Sequence, residues 1–240
     1  TRVAVLLSGP AISSSDEDED EDEDGKTEQS ADGKKGQSAD GTRDLNADLD
    51  LLIIGAGASG VGCSVMAKKF GIDPARTLIV ERGSEVGSTF TKWPAEMRFI
   101  TPSFNQQAFG MMDLNSVAFD SSPAQMFQEE HPTGKQYAQY LQVVAHMHGI
   151  SVLLETEVTA ITPICLRSGG QRCANDSEGF EVSVTHASGA THTLPEKIRA
   201  KFVIWAAGEF QYPRYDGFPG ASTNCVHNST ISSWEALSDR

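Results

Sequence analysis

DLDLLIIGAGASG, residues 48–60, decides the fold of this chain, because it joins a buried strand to a glycine turn and a helix. The apolar run from Leu51 to Ile54 is typical of a parallel strand that is covered on both faces. Gly55, Gly57 and Gly60 follow it in the spacing G-x-G-x-x-G. The first glycine of this motif allows a tight turn, the second lets a pyrophosphate approach the backbone, and the third lets the helix pack on the strand.

The sequence after the glycines strengthens the prediction of a dinucleotide site. A helix with lysines near its end stops at Gly71, and a second apolar strand, Thr77 to Val80, ends in Glu81. An acid in this place can accept hydrogen bonds from an adenosine ribose. Two alternatives stay open: a methyltransferase-like site, which also pairs a glycine loop with a strand-end acid, and a close-packed turn that binds no ligand.

The charge of the chain excludes some partners. The 240 residues carry a formal net charge of −14, and residues 1–50 alone hold fifteen acids and five bases. This balance argues against binding to nucleic acid or to an anionic membrane surface. No apolar run is long enough to span a bilayer.

The N-terminal part has a composition unlike the rest. An unbroken acidic run extends from Asp16 to Asp24, and the sequence QSADG occurs at 29–33 and again at 37–41. Like charges at this density repel each other, so we expect residues 1–47 to be a disordered, acidic, low-complexity segment. A role in binding a basic partner or a cation stays open. The apolar run from Val3 to Leu7 fits either a stray strand or the end of an upstream element.

The cysteines favour a reducing compartment. Cys63, Cys165, Cys173 and Cys225 are scattered and form no C-x-x-C pair. This pattern gives neither a zinc site nor a disulfide scaffold, so we expect free thiols, no metal and a cytoplasmic protein. Pairing of Cys165 with Cys173 across a hairpin is the alternative.

Residues 83–130 hold a loop and an irregular segment. The sequence GSEVGSTF, 83–90, suits a loop that closes over a pyrophosphate or an ordinary surface turn. Residues 91–130 are rich in aromatic side chains and methionine, which could wall a flat ring system or pack in the core. A capping box at Thr133–Gln136 then predicts a helix that extends to His148 and is stopped by Gly149, with His148 on its apolar face and His146 pointing elsewhere.

The second half of the chain predicts strands of two kinds. Residues 150–154 form a third apolar strand, and a further run begins at 157 and reaches Ile164. The stretch 180–185 alternates between apolar and polar residues, which is typical of an antiparallel strand, and 190–194 can pair with it across a turn at 188–189. Residues 201–208 return to the buried parallel type.

Several motifs together resemble a known family. They are residues 50–60, Glu81-Arg82, Gly87, Trp93-Pro94 and the sequence AAGEF at 206–210. They are similar to the FAD domain of the flavin-containing monooxygenase and pyridine nucleotide–disulfide oxidoreductase superfamily, and the resemblance covers residues 48–236. It implies an α/β fold, a Rossmann-like FAD-binding domain with a parallel sheet and an inserted antiparallel β-meander, at 48–210. Residues 211–240 would begin a crossover toward an NADPH-binding domain that is missing from this chain.

The resemblance also implies roles for individual residues. The glycine turn and the start of the helix would hold the FAD pyrophosphate, the strand-end acid would hold the ribose, and the following arginine would lie near the adenine. Gly87 and Ser88 would complete the phosphate site, and Val158 would touch the adenine. Thr101 would lie where the chain passes the flavin ring. Ala207 and Gly208 would occupy the position of an A-T-G-type motif. In chain order these residues are Gly55, Gly57, Ala58, Ser59, Gly60, Glu81, Arg82, Gly87, Ser88, Thr101, Val158, Ala207 and Gly208.

The resemblance implies an FAD-dependent, NAD(P)H-using oxidoreductase that is most similar to the flavin monooxygenases. NADPH would reduce FAD, and the reduced flavin would activate O2 to oxygenate a small-molecule substrate. Alternatives are a disulfide or quinone reductase and a non-catalytic dinucleotide-binding module whose acidic arm recruits a partner. Residues 83–130 contain no cysteine, which disfavours a dithiol mechanism. No second G-x-G-x-x-G follows, so we expect an N-terminal fragment that does not oxidise NADPH alone, and no catalytic residue is assigned.

Overall fold

The structure, a computed structural model, describes residues 5–6, 48–99, 110–164, 179–186, 195–208 and 212–238. Several predictions fall on residues outside these ranges: the hairpin strand at 190–194, the Cys165–Cys173 alternative, the role of Thr101 and most of the predicted disorder of residues 1–47. Within residues 1–47, Val5–Leu6 form a strand, so the predicted disorder is wrong for these two residues, because they pair with the strand that ends at Trp205.

Seven strands of the described chain form one mixed sheet in the order β4-β3-β2-β7-β6-β5, with β1 also paired to β7. Strands β4, β3, β2 and β7 run parallel, whereas β7, β6 and β5 form an antiparallel meander. This arrangement confirms the predicted α/β fold with a parallel sheet and a meander. The strands are β1 (Val5–Leu6), β2 (Leu49–Ile54), β3 (Thr77–Val80), β4 (Val152–Leu153), β5 (Thr156–Ile164), β6 (Gly179–His186) and β7 (Lys197–Trp205).

Five α-helices accompany the sheet in the part of the chain that the structure describes. They are α1 (Ala58–Lys69), α2 (Ser88–Thr91), α3 (Pro123–Phe127), α4 (Gly134–Met147) and α5 (Ala221–Asn224). Short 3₁₀ turns lie at Pro74–Arg76, Asn228–Thr230 and Trp234–Leu237. None of the described helices is both long enough and apolar enough to cross a membrane.

Strand β2 is buried on both faces, as its continuous apolar run predicts. Leu51 and Ile53 pack in a cluster with residues of α1 and α4. Leu52 and Ile54 belong to a second cluster with residues of the meander. Burying an aliphatic side chain of this size contributes about 1.5–3 kcal/mol to the stability of the fold. Because successive side chains of β2 enter opposite clusters, this one strand stabilises the packing on both faces of the sheet.

The capping box is confirmed at the start of α4. Thr133 Oγ1 accepts the backbone N–H of Gln136 at 3.1 Å, and Gln136 Oε1 accepts that of Thr133 at 2.7 Å. The far end of the helix differs by one residue from the prediction. The helix ends at Met147, so His148 is its cap rather than part of its face, because Gly149 turns the chain with a φ of 64°.

Two predicted strands have other bounds. The third parallel strand is only Val152–Leu153, since β3 offers just its last residues as partners. The last strand begins at Lys197, not 201, because residues 197–200 pair with β6 and belong to the meander. It ends at Trp205, so 206–208 leave the sheet, and the burial along it alternates rather than being continuous.

The aromatic side chains that the structure describes at the start of segment 91–130 serve core packing. Trp93 and Phe99 lie with their ring centroids 5.0 Å apart, and Phe99 lies 4.3 Å from Tyr137 of α4. Phe90 contacts the same group. These contacts support the packing alternative for the described members of this segment.

Candidate dinucleotide-binding site

Two glycines of the turn after β2 are required by the packing of the chain itself. Gly55 has a φ of 103°, and a Cβ there would lie 2.6 Å from the carbonyl oxygen of Ala206. A Cβ on Gly60 would overlap the carbonyl oxygen of Gly55. Both positions therefore exclude larger residues whether or not a ligand is bound.

Gly57 differs from these two. A Cβ built on it would meet no atom within 4 Å. Gly57 is also the N-cap of α1, where it offers no side-chain hydrogen bond, and the first turn of α1 contains no acidic residue. The positive end of the helix therefore faces open space, which is the arrangement that suits a phosphate group.

The Glu81 side chain closes the turn from the neighbouring strand. The parallel pairing of β2 with β3 brings the ends of both strands to the same edge of the sheet. There Glu81 Oε2 accepts the Ala56 N–H at 2.7 Å, while Oε1 accepts the Gly83 N–H at 2.7 Å and the Ser88 hydroxyl at 3.2 Å. A carboxylate has about four acceptor positions, and the described residues fill three of them, two on Oε1 and one on Oε2.

The loop 83–88 is tied to the same turn. Gly87 has a φ of 78° and donates its N–H to the Ala56 carbonyl at 3.0 Å. A side chain at Gly87 would press on Ala138 of α4, with its Cβ 3.0 Å from the Ala138 Cα. Ser88 opens α2 and reaches Glu81, so the predicted second loop adjoins the glycine turn.

Arg82 lies at the outer end of this edge. Its Nη1 donates to the Tyr212 hydroxyl at 3.1 Å and lies 3.5 Å from Glu157 Oε1. Its guanidinium carbon lies 5.8 Å from the centroid of the Tyr212 ring, within the range of a cation–π contact. The hydrogen bond to Tyr212 is the main reason that the pKa of Arg82 lies above its usual value.

The remaining predicted residues lie at different depths. Val158 of β5 is half-buried and packs on the cluster that contains Ile54, and Ala207 packs on the same cluster. Gly208 is exposed and has a φ of 78°. The neighbouring Ala206 donates its N–H to the Ile54 carbonyl at 2.8 Å, which holds the end of β7 beside the glycine turn. The ligand roles of all these residues stay predictions.

Two residues at this edge were not predicted as site residues from the sequence. Glu157 and Tyr212 both contact Arg82, and Tyr212 is 130 positions away from it in the chain. Position 212 shortly follows the small residues at the end of β7, which is the one local signal that could have suggested it. Among the described residues, no three His, Cys, Asp or Glu side chains are grouped so that they could hold a metal ion.

Solved structures with a similar fold come from flavoenzyme and thiol-redox proteins. Bacillithiol disulfide reductase Bdr (YpdA) from Staphylococcus aureus is 20% identical with a TM-score of 0.51, over 72% of this chain and 42% of that one. The same enzyme from Bacillus cereus is 22% identical with a TM-score of 0.50, over 74% and 45%. OTEMO in complex with FAD and NADP is 20% identical with a TM-score of 0.49, over 72% and 28%.

These similarities concern only part of each relative. The chain spans less than half the length of the two reductases, and at such identities the likeness shows the fold alone. The model of one protein family matches residues 52–240, from the second half of β2 to the C-terminus. The chain belongs to the pyridine nucleotide-disulphide oxidoreductase family.

Proposed function

We propose that this chain is the FAD-binding part of an NAD(P)H-dependent oxidoreductase. The observation that carries the proposal is the open space at Gly57, which lies before the uncapped start of α1. The Glu81 carboxylate lies beside it, through the bond to Ala56. A pyrophosphate and a ribose hydroxyl need these two features side by side.

The choice of FAD over NAD rests on the family and on the meander. The family pairs a flavin with a pyridine nucleotide, and the β5–β6–β7 meander matches the FAD domain that the motifs resemble. In the proposed complex, residues 55–60 and the start of α1 bind the pyrophosphate, and Glu81 orients the adenosine ribose. When bound there, the flavin would supply the hydride-accepting redox chemistry, and these residues would bind and orient it.

The first test is the visible absorption spectrum of the purified protein. We expect the two bands of a flavin and the release of FAD, not FMN, on denaturation. Gly57→Ala is the matched variant, because its methyl group would contact no atom of the protein and would enter the space proposed for the pyrophosphate. A colourless protein that takes up no added FAD, although it is folded by circular dichroism, would contradict the proposal.

For the specific reaction, we propose one that is similar to that of the flavin monooxygenases. It rests on the resemblance and on residues 83–130, which contain no cysteine for a dithiol relay. Of the described cysteines, Cys63 is half-buried and Cys225 is exposed, and both are free.

Rapid mixing of the reduced full-length protein with O2 tests this step. An oxygenating enzyme shows a long-lived transient before the oxidised flavin spectrum returns. Direct reoxidation, with NAD(P)H consumption accelerated by a low-molecular-weight disulfide or a quinone, would instead establish a reductase. A full-length protein that binds FAD and consumes no NAD(P)H would be a non-catalytic binding module.

A further inference from the structure

Three separate parts of the chain meet at the outer end of the candidate site. Arg82 follows β3, Glu157 lies in β5, and Tyr212 belongs to the segment after β7. Arg82 Nη1 lies 3.1 Å from the Tyr212 hydroxyl and 3.5 Å from Glu157. The contact fixes the start of the segment 212–238 against the sheet edge.

This meeting point lies at the adenosine end of the proposed FAD site. Arg82 directly follows Glu81, whose carboxylate is assigned to the ribose. The start of β5, with Glu157, also lies beside Glu81, because the Glu81 carbonyl accepts the Thr156 N–H at 2.9 Å. In the proposed complex the pyrophosphate lies at Gly57, so the base attached to a ribose on Glu81 would extend away from Gly57, toward the outer end of the sheet edge.

The Tyr212 ring is large, exposed and yet held in place. Tyr212 is 80% exposed, although its hydroxyl accepts a hydrogen bond from Arg82 and its ring contacts the Arg82 guanidinium. An aromatic ring that is oriented by its polar end and open over most of its surface can stack on a base. The apolar core clusters do not include it.

We propose that Tyr212 is the outer wall of an adenine subsite, where its ring stacks on the adenine while Arg82 holds its hydroxyl. The inference rests on the proposed function, since it assigns a residue to the adenine half of FAD. It makes the segment after β7 part of the cofactor site rather than only a connection.

Etheno-ADP tests the stacking, because its fluorescence is quenched when the base stacks on an aromatic ring. The probe is titrated into protein freed of flavin. We expect quenching with the wild type and with Tyr212→Phe, which keeps the ring. Tyr212→Ala should abolish the quenching and lower the affinity for both etheno-ADP and FAD by about tenfold, which corresponds to the loss of one base–aromatic stack. Binding of FMN, which lacks the adenine, should not change.

Tyr215→Ala is the matched control. Tyr215 lies in the same segment and is 51% exposed, but its ring packs at 5.1 Å from His227 instead of at the sheet edge. The Tyr215→Ala variant should bind etheno-ADP and FAD with the same affinity as the wild type does.

The outcomes separate the inference from the proposed function. If the wild type binds neither FAD nor etheno-ADP, both the proposed function and the stacking role of Tyr212 are wrong. A wild type that binds FAD, with Tyr212→Ala unchanged in affinity and quenching, would overturn the stacking role alone. Quenching that persists in Tyr212→Ala, even with a lower affinity, would also overturn it, since another residue would then stack on the base.

Discussion

Glu81 accepts the backbone N–H of Ala56 at 2.7 Å, and this one hydrogen bond joins the end of β3 to the turn after β2. The other carboxylate oxygen accepts from Gly83 and Ser88. The acid that the sequence assigns to a ribose is therefore also the residue that shapes the phosphate loop. Loss of Glu81 should affect the protein even when no nucleotide is present.

Glu81→Ala should lower both stability and FAD affinity. It leaves the N–H groups of Ala56 and Gly83 without their acceptor, which costs about 1–3 kcal/mol of unfolding free energy. Urea unfolding of the flavin-free protein measures this effect. Glu85→Ala is the control, because within the described part of the chain Glu85 accepts a side-chain bond from Gln142 at 3.2 Å and no backbone N–H. Equal unfolding midpoints for wild type and Glu81→Ala would show that the carboxylate has no structural role.

Gly57→Ala and Gly60→Ala should separate binding from folding. Gly57 has ordinary dihedrals and open space around it, so alanine there should change the unfolding free energy by no more than about 1 kcal/mol while FAD uptake falls. Gly60→Ala should prevent native folding, since its methyl group would overlap a backbone oxygen. Thermal unfolding and flavin content measure the two effects. Full flavin content in Gly57→Ala would argue against a phosphate at this position.

Tyr140→Phe should destabilise the packing of residues 117–121 on α4. The buried Tyr140 hydroxyl accepts the Val117 N–H at 2.8 Å and pairs with the Ser121 hydroxyl at 2.7 Å. Burial also raises the pKa of Tyr140, so the hydroxyl stays protonated. We expect a loss of about 1–3 kcal/mol in urea unfolding, because the Val117 N–H is left unpaired. Tyr215→Phe, which removes an exposed hydroxyl 3.4 Å from Ser229, should stay within about 0.5 kcal/mol of wild type.

The attachment of the C-terminal turn should depend on pH through Glu96. Its carboxylate accepts the Ser233 hydroxyl and the Trp234 N–H, and these bonds lower the pKa of Glu96. Because the folded state favours the charged form, the stabilisation is complete above the ordinary glutamate pKa of ~4.3 and is lost as the pH falls through the lower folded value.

Hydrogen exchange of the Trp234 amide, expressed as a protection factor, measures this attachment. Protection should be constant near neutral pH and fall in acid. Glu96→Ala should lack protection at every pH. Equal protection of the Trp234 amide in the wild type and in Glu96→Ala would contradict the role of Glu96.

Local patterns predicted the elements that depend on local interactions. The run 51–54 has neighbours on both faces, so its uniform apolarity identifies β2. The capping box at Thr133 is satisfied within four residues, and Gly149 ends its helix through a backbone conformation that glycine favours. Gly60 belongs to the same class, since the atom that excludes a side chain there is the carbonyl oxygen of Gly55, five positions earlier. Gly55 is different, because the chain that excludes a side chain there is the distant Ala206 and Ala207.

The parts that could not be predicted depend on partners that are distant in the sequence. Residues 197–200 form part of a strand because β6 pairs with them. Their own alternation of residue types does not show which strand is their partner or in what register they pair. The run at Val5–Leu6, which the sequence left open, pairs with the end of β7. The contact of Arg82 with Tyr212 and the closing of the turn by Glu81 likewise leave no periodic signal, because each joins one side chain to another element.

The open space beside Gly57 has a consequence for the way in which damaging variants of this protein would be found. Substitutions at Gly55 or Gly60 should remove the protein from the cell, because the chain cannot fold around them. Substitutions at Gly57 should leave a normal amount of protein that lacks its colour. A survey of variants by abundance alone would score position 57 as tolerant, and only a second survey sorted by flavin fluorescence would reveal the loss.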